Sequence, residues 1–329
     1  MVAQDETIVS MSWWKQDEIF VVGTVSSLSF QGIKPSAAAG HLYCFSCDAA
    51  TGVIILVHKT PVAGIPGAIC PFLPAPDTGA LRLLVGVDDA LILFTMGKLQ
   101  LLRKIGFQRF PSMIRYLSTI GSRIFVGDLA ESISFLLFDE LLKKFFLFAS
   151  DTTPRWLTAM LPLDYNTVIA ADKFGNVFAL AIPEPISKHI DDDKSRAAAA
   201  SKPFVLQLCA HFHLGQIVTF FHRASVAPGR DAVVYTTNLG AIGVLEPFSS
   251  RKDILFFQKL ESSLRTHHST LSGNTHLRHR SVFTPVCNVV DGDLCKVIFS
   301  LKGPQLKQIA DDIEHSMAFI NRKIFRLSF

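Results

Sequence analysis

DTTPRWLTAMLPLDYNTVIAADKFGN, residues 151–176, alternates turns with strands. A turn ending in Pro154 leads into one apolar run, Leu163-Asp164-Tyr165 turns the chain again, and a second apolar run ends at Asp172. Gly175-Asn176 then supplies the positive φ that a short hairpin needs. The stretch places no reactive group in catalytic company. It predicts a walk from the edge to the centre of a small antiparallel sheet.

The same grammar extends on both sides. FVVGT (20–24), LLVGV (83–87), IFVGD (124–128), IAAD (169–172) and VVYTT (233–237) are short aliphatic runs closed by small or polar residues. Several re-enter an apolar run at once: ALILF (90–94), ISFLL (133–137), VFAL (177–180) and AIGVL (241–245). That is strand, tight turn, strand, with Gly240 as a second positive-φ position and a glycine-free turn at 129–131. The spacing mid-chain is about 40–45 residues, the period of a four-stranded propeller blade. A blade cannot bury its own faces, so blades stack around an axis. The fold class is therefore mainly β: a WD-repeat-like β-propeller, partial, with roughly five blades of an expected seven or so. Two longer spacings hold inserts, 31–40 and 183–202, expected as surface loops, the second disordered.

The period changes after Phe248. Ser249-Ser250 with Asp253 reads as a capping start, and Ile254, Phe257, Leu260 and Leu264 share one helical face. Leu306, Ile309, Ile313, Met317, Ile320 and Ile324 predict a second amphipathic helix. The domain reading is a propeller over 1–248, incomplete on its N-terminal side, and an α-helical domain over 249–329.

Of 329 residues, 49% are hydrophobic and only 18% charged, which excludes a largely disordered chain. Mean hydropathy is +0.33. A membrane span needs about 20 apolar residues in a row. The best runs are cut by Asp88 and Asp89, and by Asp139, Glu140, Lys143 and Lys144. Sheets buried on both faces, or a surface that covers a partner, account better for the excess. The start, MVAQDE, is acidic and shows no signal peptide. A net charge of +4 is too mild for a dedicated nucleic-acid binder.

Candidate chemistry is thin. Cys44-Phe-Ser-Cys47 has half-site spacing but no second pair, and the six cysteines read as free thiols in apolar runs. His211-Phe-His213 puts two rings on one strand face without a further ligand motif. Asp291-Gly292-Asp293 lacks calcium spacing and reads as a turn in which Asp293 caps a helix starting at Leu294. Arg265, His267, His268, His276, Arg278, His279 and Arg280 form the one basic concentration. Arg265, Arg278 and Arg280 could touch phosphate, but no aromatics interleave for stacking, so a solvated face or an acidic partner is preferred. Phosphate loops, dinucleotide fingerprints and hydrolase or zinc-protease motifs are absent from the sequence, and no cofactor is expected. Pro154 fixes the entry to a strand; Trp156 is expected as a buried plug between blades. Arg155 is expected to pair with Asp151 or Asp172.

The runs Asp-Thr-Thr-Pro-Arg-Trp (151–156) and Ala-Asp-Lys-Phe-Gly-Asn (171–176) resemble a family of large propeller proteins. His58-Lys-Thr-Pro-Val62, Ile69-Cys-Pro-Phe72, Leu101-Leu-Arg-Lys104, Gly240-Ala-Ile-Gly243 and Asn288-Val-Val-Asp-Gly-Asp-Leu-Cys295 carry the same likeness. That family includes the third subunit of the splicing factor 3b complex, the large subunit of the cleavage and polyadenylation specificity factor and the large damaged-DNA-binding protein of ubiquitin ligases. Pro-Arg-Trp and Ala-Asp-Lys-Phe-Gly-Asn favour the splicing member; Asp-Gly-Asp-Leu is shared with the ligase scaffold.

The resemblance implies the last of three propellers and its closing helical domain, hence a fragment or split product with open blade edges and poor solubility alone. It also implies a nuclear, non-enzymatic scaffold in pre-mRNA splicing. The implied partners are a HEAT-repeat large subunit and a small helical subunit, with small nuclear RNA and pre-mRNA met indirectly, and neither membrane nor small-molecule substrate. Phe299–Gln305 is short and the 324–329 ending departs from the family pattern. A direct nucleic-acid binder and a ubiquitin-ligase adaptor are the alternatives.

Overall fold

Valine-rich runs that end in Gly, Asp or Thr make strands buried on both faces, and the small residues set how closely neighbouring sheets approach. The computed structural model describes residues 5–14, 19–32, 34–48, 51–73, 82–96, 102–191, 203–227, 230–267 and 273–325. The chain parts into two compact units: 1–170 with 180–207, and 171–179 with 208–329.

β1 (Glu6–Trp14) and β2 (Ile19–Ser26) are followed by a short hairpin of β3 (Ser29–Gln31) and β4 (Lys34–Ser36), which occupies the first insert. With β5 (Ala39–Asp48) and β6 (Val53–Val62) they give a sheet of order β1-β2-β5-β6. β7 (Pro66–Phe72), β8 (Arg82–Val87), β9 (Ala90–Met96) and β10 (Leu102–Arg109) form the next antiparallel sheet. β11 (Ile114–Ile120), β12 (Arg123–Asp128), β13 (Ile133–Asp139) and β14 (Lys144–Ser150) form the third. β15 (Leu157–Pro162), β16 (Thr167–Asp172) and β17 (Asn176–Ala181) follow as residues 151–176 predict. β18 (Phe204–Val205) adds to β14 in parallel, and β19 (Gln207–His213) completes the order β15-β16-β17-β19. β20 (Val218–Ala227), β21 (Arg230–Thr237) and β22 (Ile242–Leu245) make a three-stranded sheet. The fold is mainly β, built of several antiparallel sheets, and is consistent with a β-propeller-like architecture.

In the first unit the sheets repeat one device. The first strand of each is bulged near its start, between Ile8 and Ser10, Pro66 and Ala68, and Ile114 and Tyr116. Past each bulge the facing residue is glycine: Gly23, Gly86 and Gly127. A Cβ on Gly86 would lie 2.6 Å from Ile114 Cγ2, and one on Gly127 would lie 2.9 Å from Leu157 Cδ1. Each glycine thus admits the first strand of the following sheet. Behind the glycines the sheets share cores. Ile19, Val21 and Leu42 pack with Leu83, Val85 and Phe94; Phe72, Leu84 and Leu93 pack with Ile124, Leu136 and Phe138. Each such side chain contributes about 1.5–3 kcal/mol by burial. All six residues of β8 and of β12 are buried, which accounts for the high hydropathy.

The first part of the second insert, up to Asp191, differs from the expected loop. Glu184–Asp191 is a helix, α1, and the fully buried Arg123 grips it. Arg123 Nη2 donates to Ser187 Oγ at 2.8 Å and meets Asp191 at 3.2 Å, with its guanidinium 4.4 Å from the Phe148 ring centroid and 4.5 Å from that of Tyr165. The alanine run at 197–200, His268 and residues 326–329 lie outside the described residues.

In the second unit the predicted helix after Phe248 runs over Arg251–His267, with Phe256, Phe257, Leu260 and Leu264 buried. The expected single helix from Leu306 to Ile324 is two, Gly303–Ile313 and Met317–Phe325. Glu314 turns left-handed at φ 61°, and Ser316 Oγ accepts the Phe319 amide at 3.3 Å to restart the helix. The apolar period survives the break because both pieces bury their faces in one cluster with Phe256, Phe257, Leu294 and Ile298.

Candidate functional site

The β16–β17 turn is organised by one carboxylate. Asp172 Oδ1 accepts the amides of Phe174 at 2.9 Å and Asn176 at 3.1 Å, and Oδ2 accepts Asn176 Nδ2 at 2.8 Å. Gly175 takes φ +83°, and a Cβ there would sit 3.1 Å from the Gln216 amide nitrogen, so both conformation and space select glycine. With its Nδ2 committed to Asp172, Asn176 presents Oδ1 to His213 Nδ1 at 3.0 Å, which places the ring proton on Nδ1.

From His213 the bonding continues to the helices. Arg280 Nη1 donates to the carbonyls of His213 and Leu214, each at 3.2 Å, and its guanidinium lies 4.7 Å from the Phe212 ring centroid. Arg280 Nε and Nη2 reach Asp291 Oδ2 at 2.8 and 2.7 Å, where His276 Nε2 also arrives at 2.8 Å. Asp291 Oδ1 accepts the amides of Asp293 at 3.0 Å and Leu294 at 3.2 Å. The cap of the Gly292–Lys296 helix is therefore Asp291, two residues earlier than the expected Asp293. Asp293 is exposed and lies 3.7 Å from Lys296. An aspartate immediately before the helix satisfies two orphan amides, which Asp293, already inside the first turn, is not placed to do. Glu261 Oε1 closes the chain of contacts, accepting the Asp291 amide at 3.3 Å and meeting Arg265 Nη2 at 2.9 Å.

The electrostatics follow from burial and partners. Burial pushes the Asp291 carboxyl up, but the His276 hydrogen bond, the Arg280 charge and the Leu294 amide outweigh it and hold the group at about 2. Burial lowers His213 below the usual histidine value, helped by His279 and Arg280 and opposed by Asp172. Burial also drives Cys44 and Cys70 up to about 11, which leaves them as inert thiols. Among the described residues no group of three or more His, Cys, Asp or Glu could hold a metal ion. The arrangement fastens segments together and presents a surface.

The residues named from sequence separate into groups. Asp172, Gly175, Arg265, Arg280, Asp291, Gly292 and Asp293 fall in the second unit; Asp172, Arg265, Arg280 and Asp291 belong to the connected network. Arg265 and Arg280 meet carboxylates within the chain, while Arg278 is exposed on the His276–Arg280 helix. Pro154, Arg155 and Trp156 lie in the first unit. Arg155 Nε meets Asp151 Oδ2, one of the two carboxylates named for it, at 2.8 Å. Trp156 is half-buried, not the buried plug expected; Arg155 beside it is the buried side chain. At the entry to β15 the ion pair with Asp151 holds the Arg155 side chain inward. Asn176, His213, His276 and Glu261 were not singled out for this role. The legible signal was Asp-x-x-Gly-Asn, an aspartate placed to gather the amides of its own turn.

Residues 3–300 match the model of the CPSF A subunit region family. The chain is 35% identical over 316 residues to Spliceosome-associated protein 130 A of Arabidopsis thaliana, covering 93% of this chain and 25% of that protein. It is 33% identical over 297 residues to Splicing factor 3B subunit 3 of Danio rerio, covering 88% and 24%. It is 38% identical over 280 residues to Pre-mRNA-splicing factor RSE1 of Mycosarcoma maydis, covering 83% and 22%. The chain therefore spans about a quarter of the length of these relatives. With repeated sheets, a turn built on Ala-Asp-Lys-Phe-Gly-Asn and a helix capped from Asp-Gly-Asp-Leu, this chain belongs to the CPSF A subunit region family.

Proposed function

We propose that the chain is a non-catalytic scaffold segment of the splicing factor 3b assembly, acting in pre-mRNA splicing in the nucleus. The observation that carries the reading is the 33–38% identity, across 83–93% of this chain, to proteins named as spliceosome-associated or splicing factors. The glycine-spaced stacking of the sheets supports a partial propeller of about five blades over 1–248, and the helical cluster supports a separate domain over 249–329. Its partners on this reading are a HEAT-repeat large subunit and a small helical subunit, with small nuclear RNA and pre-mRNA reached through them. Pro154, Arg155, Trp156, Asp172, Gly175, Asp291, Gly292 and Asp293 serve as structural or interaction residues. The engagement of Arg265 and Arg280 by internal carboxylates favours a structural role for them over phosphate contact.

Affinity purification of the tagged chain from nuclear extract, followed by mass spectrometry, tests this. Recovery of splicing factor 3b subunits is the expected result. Recovery of cullin components in their place would replace it with the adaptor reading.

A further inference from the structure

Two sequence-distant stretches meet on the surface of the second unit. Phe174, in the β16–β17 turn, is 47% exposed, and Phe283, just beyond the His276–Arg280 helix, is 58% exposed. Their ring centroids are 5.2 Å apart, with 46° between the planes. Aromatic surface of this size left in water favours being covered. Basic side chains flank the pair. Lys173 Nζ lies 5.2 Å from the Phe174 centroid, and Arg278 and His279 are exposed. His213 meets both Phe283, at 5.9 Å, and His279, at 5.8 Å, each ring edge to face. The nearest carboxylates along the chain, Asp172 and Asp291, are buried and turned to Asn176 and Arg280. Among the described residues the Arg278 side chain meets no carboxylate.

We propose that this patch binds a single-stranded nucleic acid, with unpaired bases laid on Phe174 and Phe283 and the backbone phosphates facing Arg278, His279 and Lys173. Aromatic faces accept any base, and neighbouring cations follow the strand. An acidic peptide would match the charges; planar bases match the charges and the rings together. The sequence withholds this because the aromatics that flank the basic run come from more than a hundred residues upstream and from beyond the helix. The site is independent of the scaffold reading, which the purification experiment tests without reference to RNA.

Fluorescence anisotropy of the full chain with labelled oligouridylate, and separately with labelled oligoglutamate, decides it. Binding of oligouridylate is expected, weakened about tenfold or more by Phe174→Ala with Phe283→Ala, with the salt slope unchanged. Arg278→Ala should reduce the log–log salt slope by about 0.7. Phe283→Leu keeps apolar bulk without a flat ring; it should weaken binding as alanine does, and covers the case in which the double variant fails to fold. Absence of oligouridylate binding at low salt, or Phe283→Leu binding like the parent, overturns the proposal. Oligoglutamate binding that is tighter than oligouridylate binding overturns it in favour of an acidic protein partner.

Discussion

Two arginines, Arg123 fully buried and Arg280 half-buried, do similar work in the two units, and they differ in what holds them. Arg123 in the first unit lies between Phe148 and Tyr165 and grips α1 through Ser187 and Asp191. Arg280 in the second lies on Phe212 and grips two strand carbonyls and Asp291. The Asp191 side chain is 42% exposed, whereas that of Asp291 is 5% exposed. Water can replace Arg123 at Asp191, but nothing replaces Asp291 at Arg280 and His276. The same residue type is thus a local clasp in one place and the centre of an interdependent network in the other.

Asp291→Ala is the hardest test of that contrast. It leaves Arg280 and His276 without their shared carboxylate and frees two helix amides, so a loss of about 3–5 kcal/mol is expected in urea unfolding. A loss under about 1 kcal/mol would put Asp291 on the same footing as an exposed pair. Gly86→Ala forces a methyl against Ile114 and should cost about 1–3 kcal/mol, read as a lowered midpoint for the first unit. An unchanged midpoint would mean the sheets do not close upon one another at their glycines.

A smaller effect is expected from pH. His213 has a folded value below its unfolded 6.5, so the stability linked to it is complete above about 6.5 and falls as pH drops below that value. Asp291, lowered from 3.8 to about 2, adds a further loss between those values. Stability measured from pH 7.5 downward (about one unit above the His213 window) should fall in His213-containing chain and flatten near 6 in His213→Gln. Equal slopes would remove His213 from the network. Asp191→Ala is the mildest change, about 0–1 kcal/mol, because Asp191 is itself part-exposed and the buried Arg123 keeps its bond to Ser187.

Much of this was legible in local patterns. Strands β2, β8, β12, β16 and β21 could each be read from a run of aliphatic residues ending in a small or polar one, because strand formation there needs little beyond alternate burial and a turn. The hairpin at Gly175 and the helical face of Phe257, Leu260 and Leu264 follow from backbone conformation and period. The break at Glu314 was hidden, since the apolar spacing runs through it and only packing onto a shared cluster bends the chain. Helix α1 was hidden as well, because its anchor, Arg123, lies some sixty residues earlier.

Residue types and their short-range order therefore fixed which segments are strands or helices and where they turn, since those depend on dihedral preference and periodicity within a few residues. Which of two aspartates caps a helix, whether Trp156 or Arg155 goes inward, and the meeting of Phe174 with Phe283 depended on the packed chain. Hydrogen bonds and ring contacts form between whatever the fold brings within a few ångströms, and sequence separation carries no record of that distance.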